Sequence, residues 1–278
     1  MPDRQPAFII LGAAKSATTW WQHTLAAHPQ LFIPLIELHH FSFGYDPASP
    51  LPAQYLTHFA EAKPGQRVGE NSNSYLPHPR CAQRIHDTLP DAKLIVSLRN
   101  PIARAYSDWE MRIRQGLRIH DATAYLDPDH VPDFEFLRKG LYAHQLGPYL
   151  ERFGRERVLV LIADDLKNDA EGEFHKACRF LGVDDTVPLA DLEAINTRDQ
   201  TAVFPGLRRS VSRTRWGAPV VSLLRRSPIR SLARMLFARA QHAPPMPDET
   251  RHKLKSYYRG DVEALSAMLG RDLTHWLD

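Results

Sequence analysis

The sequence predicts an α/β fold of three layers, in which helices cover both faces of a central parallel β-sheet. Four short apolar runs, rich in β-branched residues, have the length of buried strands and lie at 8–11, 67–69, 94–98 and 158–162. Longer stretches with apolar residues three and four positions apart separate these runs and predict helices. Such alternation of strands and helices is typical of a parallel sheet that helices cover on both sides.

Five helices are predicted from this apolar periodicity. They cover residues 18–27, 80–89, 101–115, 141–153 and 171–181. The third has the clearest start, because Asn100 is a favoured N-cap residue and Pro101 suits the first helical position. We expect Trp20 and Trp21, in the first helix, to pack in the core, because an amphipathic helix buries one face.

Two regions depart from the alternation. Residues 35–64 are rich in His, Pro and aromatic residues without a regular period, which predicts a loop-dominated insertion over the strand ends. Residues 248–277 are amphipathic, and we expect Gly260 or Gly270 to break them into a helical hairpin. A single domain is expected over 1–278, with a core at 7–183 and a basic, helical part at 184–278 that closes a cleft.

The composition excludes several protein classes. Of the 278 residues, 43% are hydrophobic and 24% charged, as in an ordinary globular protein rather than a disordered or fibrous one. The two cysteines, Cys81 and Cys178, supply neither a disulfide framework nor a cysteine-rich zinc site. A net charge of +3 is too balanced for a dedicated nucleic-acid-binding protein. Because the chain shows no signal-peptide pattern and no run of about 18 apolar residues, we expect it to be cytoplasmic and not to span a membrane.

The first predicted strand leads into a turn suited to an anion. Its sequence is Gly12-Ala13-Ala14-Lys15-Ser16-Ala17-Thr18-Thr19, which places small residues and a lysine at a helix N-terminus. Backbone N–H groups and the helix dipole favour negative charge there. Ile9 and Ala14 occupy the positions where a Walker A loop has glycines, which argues against a Mg-dependent nucleotide triphosphatase. The alternative is an ordinary strand-to-helix turn with a surface lysine and capping threonines.

A second candidate anion site follows the strand at 94–98. Arg99 comes at the carboxyl end of that strand, and Ser107 lies about two turns into the helix that follows. Ligands of open α/β sheets gather outside the carboxyl ends of the strands, so Arg99 and Lys15 are expected to face one crevice. The alternative is a structural helix start, with Arg99 paired to a surface acid.

Four motifs in order carry a resemblance to a known family. They are Gly-x-x-Lys-Ser-x-Thr-Thr at 12–19, Pro-Leu-Ile-Glu-Leu-His-His-Phe at 34–41, Gly-Glu-Asn-Ser-Asn-Ser-Tyr-Leu at 69–76 and Leu-Arg-Asn-Pro-Ile-Ala-Arg-Ala-Tyr-Ser at 98–107. Together they resemble the sulfotransferases that use 3′-phosphoadenosine-5′-phosphosulfate (PAPS), in particular the bacterial and heparan-sulfate-type carbohydrate branch. The likeness covers most of residues 7–183 and, weakly, the surroundings of Tyr257 and Trp276. It implies a P-loop-like nucleotide-binding fold.

The resemblance also implies a reaction and the residues that perform it. PAPS would be the cofactor, adenosine 3′,5′-bisphosphate the product, and no metal would be required. Glu37 matches the general base, and Lys15 would neutralise charge on the leaving oxygen. The acceptor would be the hydroxyl, or as a second choice an amine, of a carbohydrate, glycolipid or other small polar molecule. The residues that match the 5′-phosphosulfate loop are Lys15, Ser16, Ala17, Thr18 and Thr19, and those that match the 3′-phosphate pair are Arg99 and Ser107.

The sequence departs from the family pattern around the proposed base. Ile36 stands where the family usually has a lysine, and His40 replaces an aromatic residue. His39 or His40 could supply the missing positive charge; the alternative is that both are ordinary surface or hydrogen-bonded histidines. Ala17 replaces a glycine, a mild change if that residue is already helical. Asn73 stands where proline is common.

Further substrate contacts are expected after the strand at 67–69. Glu70, Ser72 and Tyr75 resemble the substrate-side wall of the cleft, and His39 and His40 are candidates for the same role. The alternative for Tyr75 is packing in the core. Two rival functions stay open: an ATP-dependent small-molecule kinase, and a nucleotide-binding relative without catalytic activity.

The stretch from Arg208 to Arg239 contains nine arginines and no acid. It is either a solvated helical face, a site for an anionic glycan or cofactor phosphate, or a peripheral membrane contact. Gly206, Arg208 and Arg209 are candidates for a loop that covers the adenine. The sequence does not predict the oligomeric state.

Overall fold

The structure is a computed structural model that describes residues 5–114, 121–130, 135–190 and 244–278. These ranges contain one sheet of five strands in the order β2-β3-β1-β4-β5, with all neighbouring strands parallel. The strands are β1 (Phe8–Gly12), β2 (Leu31–Phe32), β3 (Arg67–Asn71), β4 (Lys93–Leu98) and β5 (Val158–Ile162).

Helices and short helical turns connect the strands. The α-helices of the described ranges are α1 (Thr18–Ala26), α2 (Ala53–Thr57), α3 (Cys81–Thr88), α4 (Pro101–Arg114), α5 (Ala122–Leu126), α6 (Glu135–Arg138), α7 (Tyr142–Phe153), α8 (Ala163–Asn168), α9 (Ala170–Leu181) and α10 (Asp248–Leu269). A π-helical turn covers His40–Gly44, and 3₁₀ turns cover Arg155–Arg157 and Thr274–Leu277. No helix within these ranges has both the length and the apolar content that crossing a bilayer requires.

Alternating side chains of the central strand build two cores. Ile9 and Leu11 pack on one face of the sheet, in a cluster with residues of α3, α4, α7 and α10. Phe8 and Ile10 pack on the other face, with residues of α1 and α9. Because side chains of the strand point alternately to the two faces, both faces are apolar and both are covered by helices. This confirms the three-layer α/β prediction. Trp21 is fully buried in the second core, as predicted.

The four predicted strands correspond to β1, β3, β4 and β5. The sequence does not reveal β2, because two residues are too few to show a period. This strand is defined by its pairing with β3, where Leu31 lies opposite Arg67. The insertion at 35–64 is loop-dominated as expected, apart from α2 and the π-helical turn.

Of the two predicted break points in the C-terminal segment, Gly260 is wrong, because α10 runs through this residue as one helix. Leu254 and Tyr258 before this glycine, and Val262 after it, form one continuous buried stripe. Burial of that stripe outweighs the cost of an interior glycine, which is about 1 kcal/mol. The helix ends at Gly270, whose positive φ of 63° terminates it.

The C-terminal segment is joined to the core close to the candidate site. Asn100 donates its Nδ2 to the Trp276 carbonyl at 2.8 Å. The Asn100 Oδ1 also accepts from the backbone N–H of Ile102 at 2.9 Å, which confirms the predicted N-cap of α4. Asp261, on α10, accepts from the first backbone N–H groups of α7 at Ala143 and His144. The start of α4, directly after Arg99, is therefore held by both the N-cap and the C-terminus.

Candidate active site

The carboxyl ends of three neighbouring strands carry the candidate residues. β1 lies between β3 and β4, and all three run in the same direction. The turn after β1 carries Lys15, the end of β3 carries Asn71, and Arg99 follows β4. Strand order alone therefore brings these groups to one edge of the sheet, where open α/β folds bind their ligands.

The turn after β1 has an unusual backbone. Lys15 and Ala17 adopt left-handed conformations, with φ of 69° and 64°. Ala17 is the N-cap of α1 rather than a helical residue, so the expectation that alanine is a mild replacement for glycine here was wrong. A left-handed conformation costs an L-residue roughly 1 to 2 kcal/mol. Strain of this kind is concentrated at functional loops.

Polar groups of this turn lie buried without partners. The Ser16 side chain is fully buried, and its Oγ has no hydrogen-bond partner in the described part of the chain. Tyr142, on α7, is also fully buried, and burial raises its pKa to about 12, against the effect of Arg104 and Ser16. Thr18 is buried and Thr19 exposed. A buried hydroxyl without a partner costs stability, and a ligand that enters the turn would satisfy it.

The two predicted cations face the same space. The Arg99 Nη1 lies 3.5 Å from the Lys15 carbonyl oxygen, and neither residue forms an ion pair within the described ranges. The Lys15 Nζ lies 3.7 Å from the Met111 sulfur on α4, one helical turn after Ser107. Burial lowers the pKa of Lys15, and the charge of Arg114 acts in the same direction, whereas the carboxylate of Asp108 opposes it. Cations that lie close together and form no ion pair suit the binding of an anion.

The Glu37 carboxylate is held by amide donors. Its Oε1 accepts from the Asn73 Nδ2 at 2.7 Å and from the Asn71 Nδ2 at 3.4 Å. The Asn71 amide also donates to the Gln22 Oε1, at 3.1 Å, and Gln22 belongs to α1. Glu37 thus lies beside α1, the helix that begins at the turn carrying Lys15, and its side chain is still 27% exposed.

The structure separates the two neighbouring histidines. The His39 Nε2 lies 3.2 Å from the Glu37 Oε2, and its Nδ1 lies 2.8 Å from the Ser74 Oγ. His40 is buried, its Nε2 bonds to the Pro50 carbonyl, and its ring stacks on Tyr55. Burial lowers the pKa of His40. Of the two candidates, His39 is the partner of Glu37; the interpretation of His40 as a substrate contact or compensating cation was wrong.

The other predicted substrate contacts are buried. Glu70, Ser72 and Tyr75 have no exposed surface, so their assignment to the cleft wall was wrong. The Glu70 carboxylate accepts from the hydroxyls of Tyr55 at 2.7 Å, Ser72 at 3.0 Å and Tyr75 at 3.1 Å. Burial raises the pKa of Glu70 to about 7, against the effect of the three hydroxyl donors. Successive side chains of β3 point to opposite faces of the sheet, and that of Glu70 points into the core. Its position near the end of the strand therefore does not make it exposed.

This buried cluster supports the backbone of the base segment. The Ser72 Oγ donates to Glu70 and accepts from the His39 backbone N–H at 2.9 Å. His39 itself has a positive φ of 54°. The cluster therefore positions the chain behind Glu37 instead of contacting an acceptor.

Sequence reasoning missed the amides that orient Glu37. Asn71 could have been found, because it ends a strand next to β1, whereas nothing in the sequence marks Gln22 as its partner. Gly206, Arg208 and Arg209, and the whole stretch from Arg208 to Arg239, lie outside the described residues. Within the described ranges, no three or more His, Cys, Asp or Glu side chains are grouped as metal ligands.

Two named proteins each match about two thirds of this chain. The chain is 32% identical over 185 residues to heparan sulfate glucosamine 3-O-sulfotransferase 6 of Mus musculus, covering 65% of this chain and 53% of that protein. It is 28% identical over 186 residues to heparan sulfate glucosamine 3-O-sulfotransferase 3B1 of the same organism, covering 64% and 46%. The chain spans about half the length of these curated relatives.

A solved structure matches along the whole chain. The crystal structure of a sulfotransferase from Alicyclobacillus acidocaldarius superposes with a TM-score of 0.71 at 26% identity, covering 99% of both chains. The sequence profile described as "Sulfotransferase domain" matches residues 5–204. The chain therefore belongs to the sulfotransferase domain family.

Proposed function

We propose that the protein transfers a sulfuryl group from PAPS to a hydroxyl of a small-molecule or glycan acceptor, with Glu37 as general base. One observation carries this proposal. Lys15 and Arg99, which form no ion pair in the described ranges, lie together at the strand ends, and the Glu37 carboxylate is held by amides beside α1, the helix that follows Lys15. Membership of the sulfotransferase family supports it, as do relatives whose names specify O-sulfation of a glycan.

The residues at the strand ends fit a doubly phosphorylated adenosine. Lys15, Thr18, Thr19 and the unpartnered Ser16 hydroxyl would hold the 5′-phosphosulfate, together with the backbone at Ala17. Arg99 and Ser107 would hold the 3′-phosphate, since a guanidinium binds phosphate through paired hydrogen bonds. When bound, PAPS supplies the sulfuryl group and departs as adenosine 3′,5′-bisphosphate.

Glu37 takes the proton of the acceptor hydroxyl as its oxygen forms a bond to sulfur. The Asn73 and Asn71 amides fix the orientation of the carboxylate, and His39 supplies a polar partner where Ile36 replaces the family's lysine. Lys15 neutralises the charge that grows on the phosphate oxygen as the sulfur–oxygen bond breaks and its electron pair stays with the bisphosphate. A charge interaction of this kind lowers a barrier by a few kcal/mol in a preorganised site.

Thermal shift measurements test the nucleotide site. Adenosine 3′,5′-bisphosphate is expected to raise the melting temperature more than AMP or ADP, because only the bisphosphate reaches Arg99 and Lys15 at once. Arg99→Gln removes this preference, whereas Arg152→Gln, on exposed α7 surface, retains it. Charge-assisted hydrogen bonds are worth about 1.5 to 3 kcal/mol, roughly ten- to hundredfold in affinity. Equal shifts with all three nucleotides contradict the assignment.

Transfer assays test the chemistry. With labelled PAPS and a panel of glycans, lipids and phenols, Lys15→Ala loses turnover, and Glu37→Gln retains the bisphosphate-induced shift but loses transfer. Retained transfer by Glu37→Gln would reassign the base to His39, 3.2 Å away. A kinase would instead require ATP and Mg²⁺ and show no preference for a 3′-phosphate.

A further inference from the structure

Three large apolar side chains are exposed to solvent on the segment that carries Glu37. Leu35, Ile36 and Phe43 are 58%, 54% and 78% exposed, and they are the exposed large hydrophobic residues of the described part of the chain. Single exposed apolar side chains are common on protein surfaces, but three on the short segment 35–43 are unusual; we call these three side chains the patch.

Hydrogen bonds from Gln22 hold the backbone around Leu35 and Ile36. Gln22, on α1, donates its Nε2 to the Pro34 carbonyl at 2.6 Å and to the Ile36 carbonyl at 3.5 Å. These bonds fix the backbone on both sides of Leu35. The Gln22 side chain also accepts from the Asn71 amide, which donates to Glu37. Gln22 therefore contacts both the backbone of the patch and a hydrogen-bond partner of the carboxylate.

The π-helical turn fixes Phe43 in a similar way. Its backbone N–H donates to the His39 carbonyl at 3.0 Å, and Arg84 donates to the carbonyls of Phe41 and Ser42. Phe41 fills the core and is fully buried, whereas Phe43 two residues later is turned to solvent. The exposure of Phe43 is thus set by an anchored backbone.

The patch borders the proposed base. The Phe43 ring centroid lies 6.0 Å from that of His39, whose Nε2 is 3.2 Å from the Glu37 carboxylate. Ile36 directly precedes Glu37 in the chain. The exposed apolar side chains therefore lie within a few residues of the proposed base, close enough for the atoms next to an acceptor hydroxyl to meet them.

The charge of this segment disfavours a polyanionic acceptor. Residues 16–62 contain no lysine or arginine, although the whole chain has 35. Arg84, which reaches the segment from α3, is occupied by two carbonyls and lies 5.1 Å from the centre of the Tyr45 ring. On the described segment, a sulfated polysaccharide would meet apolar side chains and the Glu37 carboxylate, and like charges oppose binding to this segment.

We infer that the acceptor is a neutral amphipathic alcohol, whose hydroxyl meets Glu37 while an apolar chain beside it packs on Leu35, Ile36 and Phe43. This inference rests on the proposed sulfuryl transfer and specifies its acceptor class. Packing on the patch removes apolar surface from water on both partners, which is the main source of affinity for such a ligand.

Two glucosides that differ only in chain length test the inference. The full chain is incubated with labelled PAPS and either octyl β-D-glucopyranoside, below its micellar concentration, or methyl β-D-glucopyranoside. We expect kcat/KM to be at least tenfold higher for the octyl glucoside, which corresponds to burial of about two methylene groups. An N-sulfated heparan oligosaccharide, assayed in parallel, is expected to be the poorest acceptor.

Variants of the patch provide the matched controls. Phe43→Ser is expected to lower the octyl-to-methyl ratio about fivefold, and Phe43→Leu, which keeps the apolar surface, to keep the ratio within twofold of the wild type. Equal kcat/KM for both glucosides, a higher value for the heparan oligosaccharide, or an unchanged ratio in Phe43→Ser would overturn the inference.

The bisphosphate-induced thermal shift separates this failure from failure of the proposed function. Transfer to the heparan oligosaccharide but to neither glucoside, with the shift intact, overturns the acceptor class alone, because sulfuryl transfer is then retained. Absence of transfer to all three acceptors, with the shift intact, overturns both the acceptor class and catalysis. Absence of both transfer and shift overturns the sulfuryl-transfer proposal together with the inference that depends on it.

Discussion

Substitution of the buried Glu70 by glutamine is expected to change how stability depends on pH. The Glu70 carboxyl has no exposed surface, and burial raises its pKa from the ordinary value of 4.5 to about 7. The folded protein therefore binds this proton more tightly than the unfolded chain does. The contribution of the bound Glu70 proton to the free energy of unfolding is fully present below about pH 4.5, and it is lost as the pH rises through 7.

The size of this loss follows from the two pKa values. At about 1.4 kcal/mol for each pH unit, the interval from 4.5 to about 7 corresponds to roughly 3 kcal/mol. Glu70→Gln is nearly isosteric and stays neutral, so it keeps an oxygen that accepts from Tyr55 and Tyr75 and removes the cost of burying a charge. We expect the wild type and the variant to be similar in stability at pH 4.5. At pH 8 the variant is expected to be more stable by roughly 3 kcal/mol.

Chemical denaturation at a series of pH values measures this difference. The free energy of unfolding is compared for the wild type, Glu70→Gln and Glu61→Gln, a control at an exposed carboxylate. The control is expected to follow the wild type. If the wild type and Glu70→Gln lose stability in parallel between pH 4.5 and 8, Glu70 does not titrate in this range and the reasoning fails.

Three further predictions concern backbone strain, packing and the proposed base. Ala17→Gly is expected to raise the free energy of unfolding by about 1 kcal/mol, because Ala17 has a φ of 64°; a lower denaturation midpoint would contradict this. Gly69→Ala is expected to lower it by roughly 1 to 3 kcal/mol, because the added Cβ would lie 2.3 Å from the Phe8 Cζ; unchanged stability would refute the packing argument. Asn73→Ala removes the 2.7 Å donor to Glu37 and is expected to lower kcat about tenfold with the bisphosphate-induced shift preserved; an unchanged kcat would exclude a positioning role.

Local signals were sufficient for much of the architecture and for part of the site. The runs that became β1, β3, β4 and β5 are apolar and bounded by turn residues, so their burial could be predicted without knowledge of their neighbours. The start of α4 was equally readable, because Asn100 and Pro101 act within one turn of the chain. The meeting of Lys15 and Arg99 was also predictable, because both follow parallel strands.

Other features depend on contacts that local sequence does not encode. His39 and His40 are adjacent and chemically identical, and only the π-helical turn decides that one meets Glu37 and the other stacks on Tyr55. Glu70 follows a predicted strand in a segment that resembles the substrate-side wall of the cleft, yet the pleat of β3 directs its side chain into the core.

The layers of the fold, the capped start of α4 and the resemblance to the sulfotransferases could be read from the sequence, because strand burial and helix capping depend on residues close together in the chain. The structure was needed to show which histidine partners Glu37, that Ala17 is left-handed, and that Leu35, Ile36 and Phe43 are exposed on the segment that carries the carboxylate. The surroundings of Glu37, for example, depend on a hydrogen bond from Asn73, 36 residues away in sequence, which local preference does not encode.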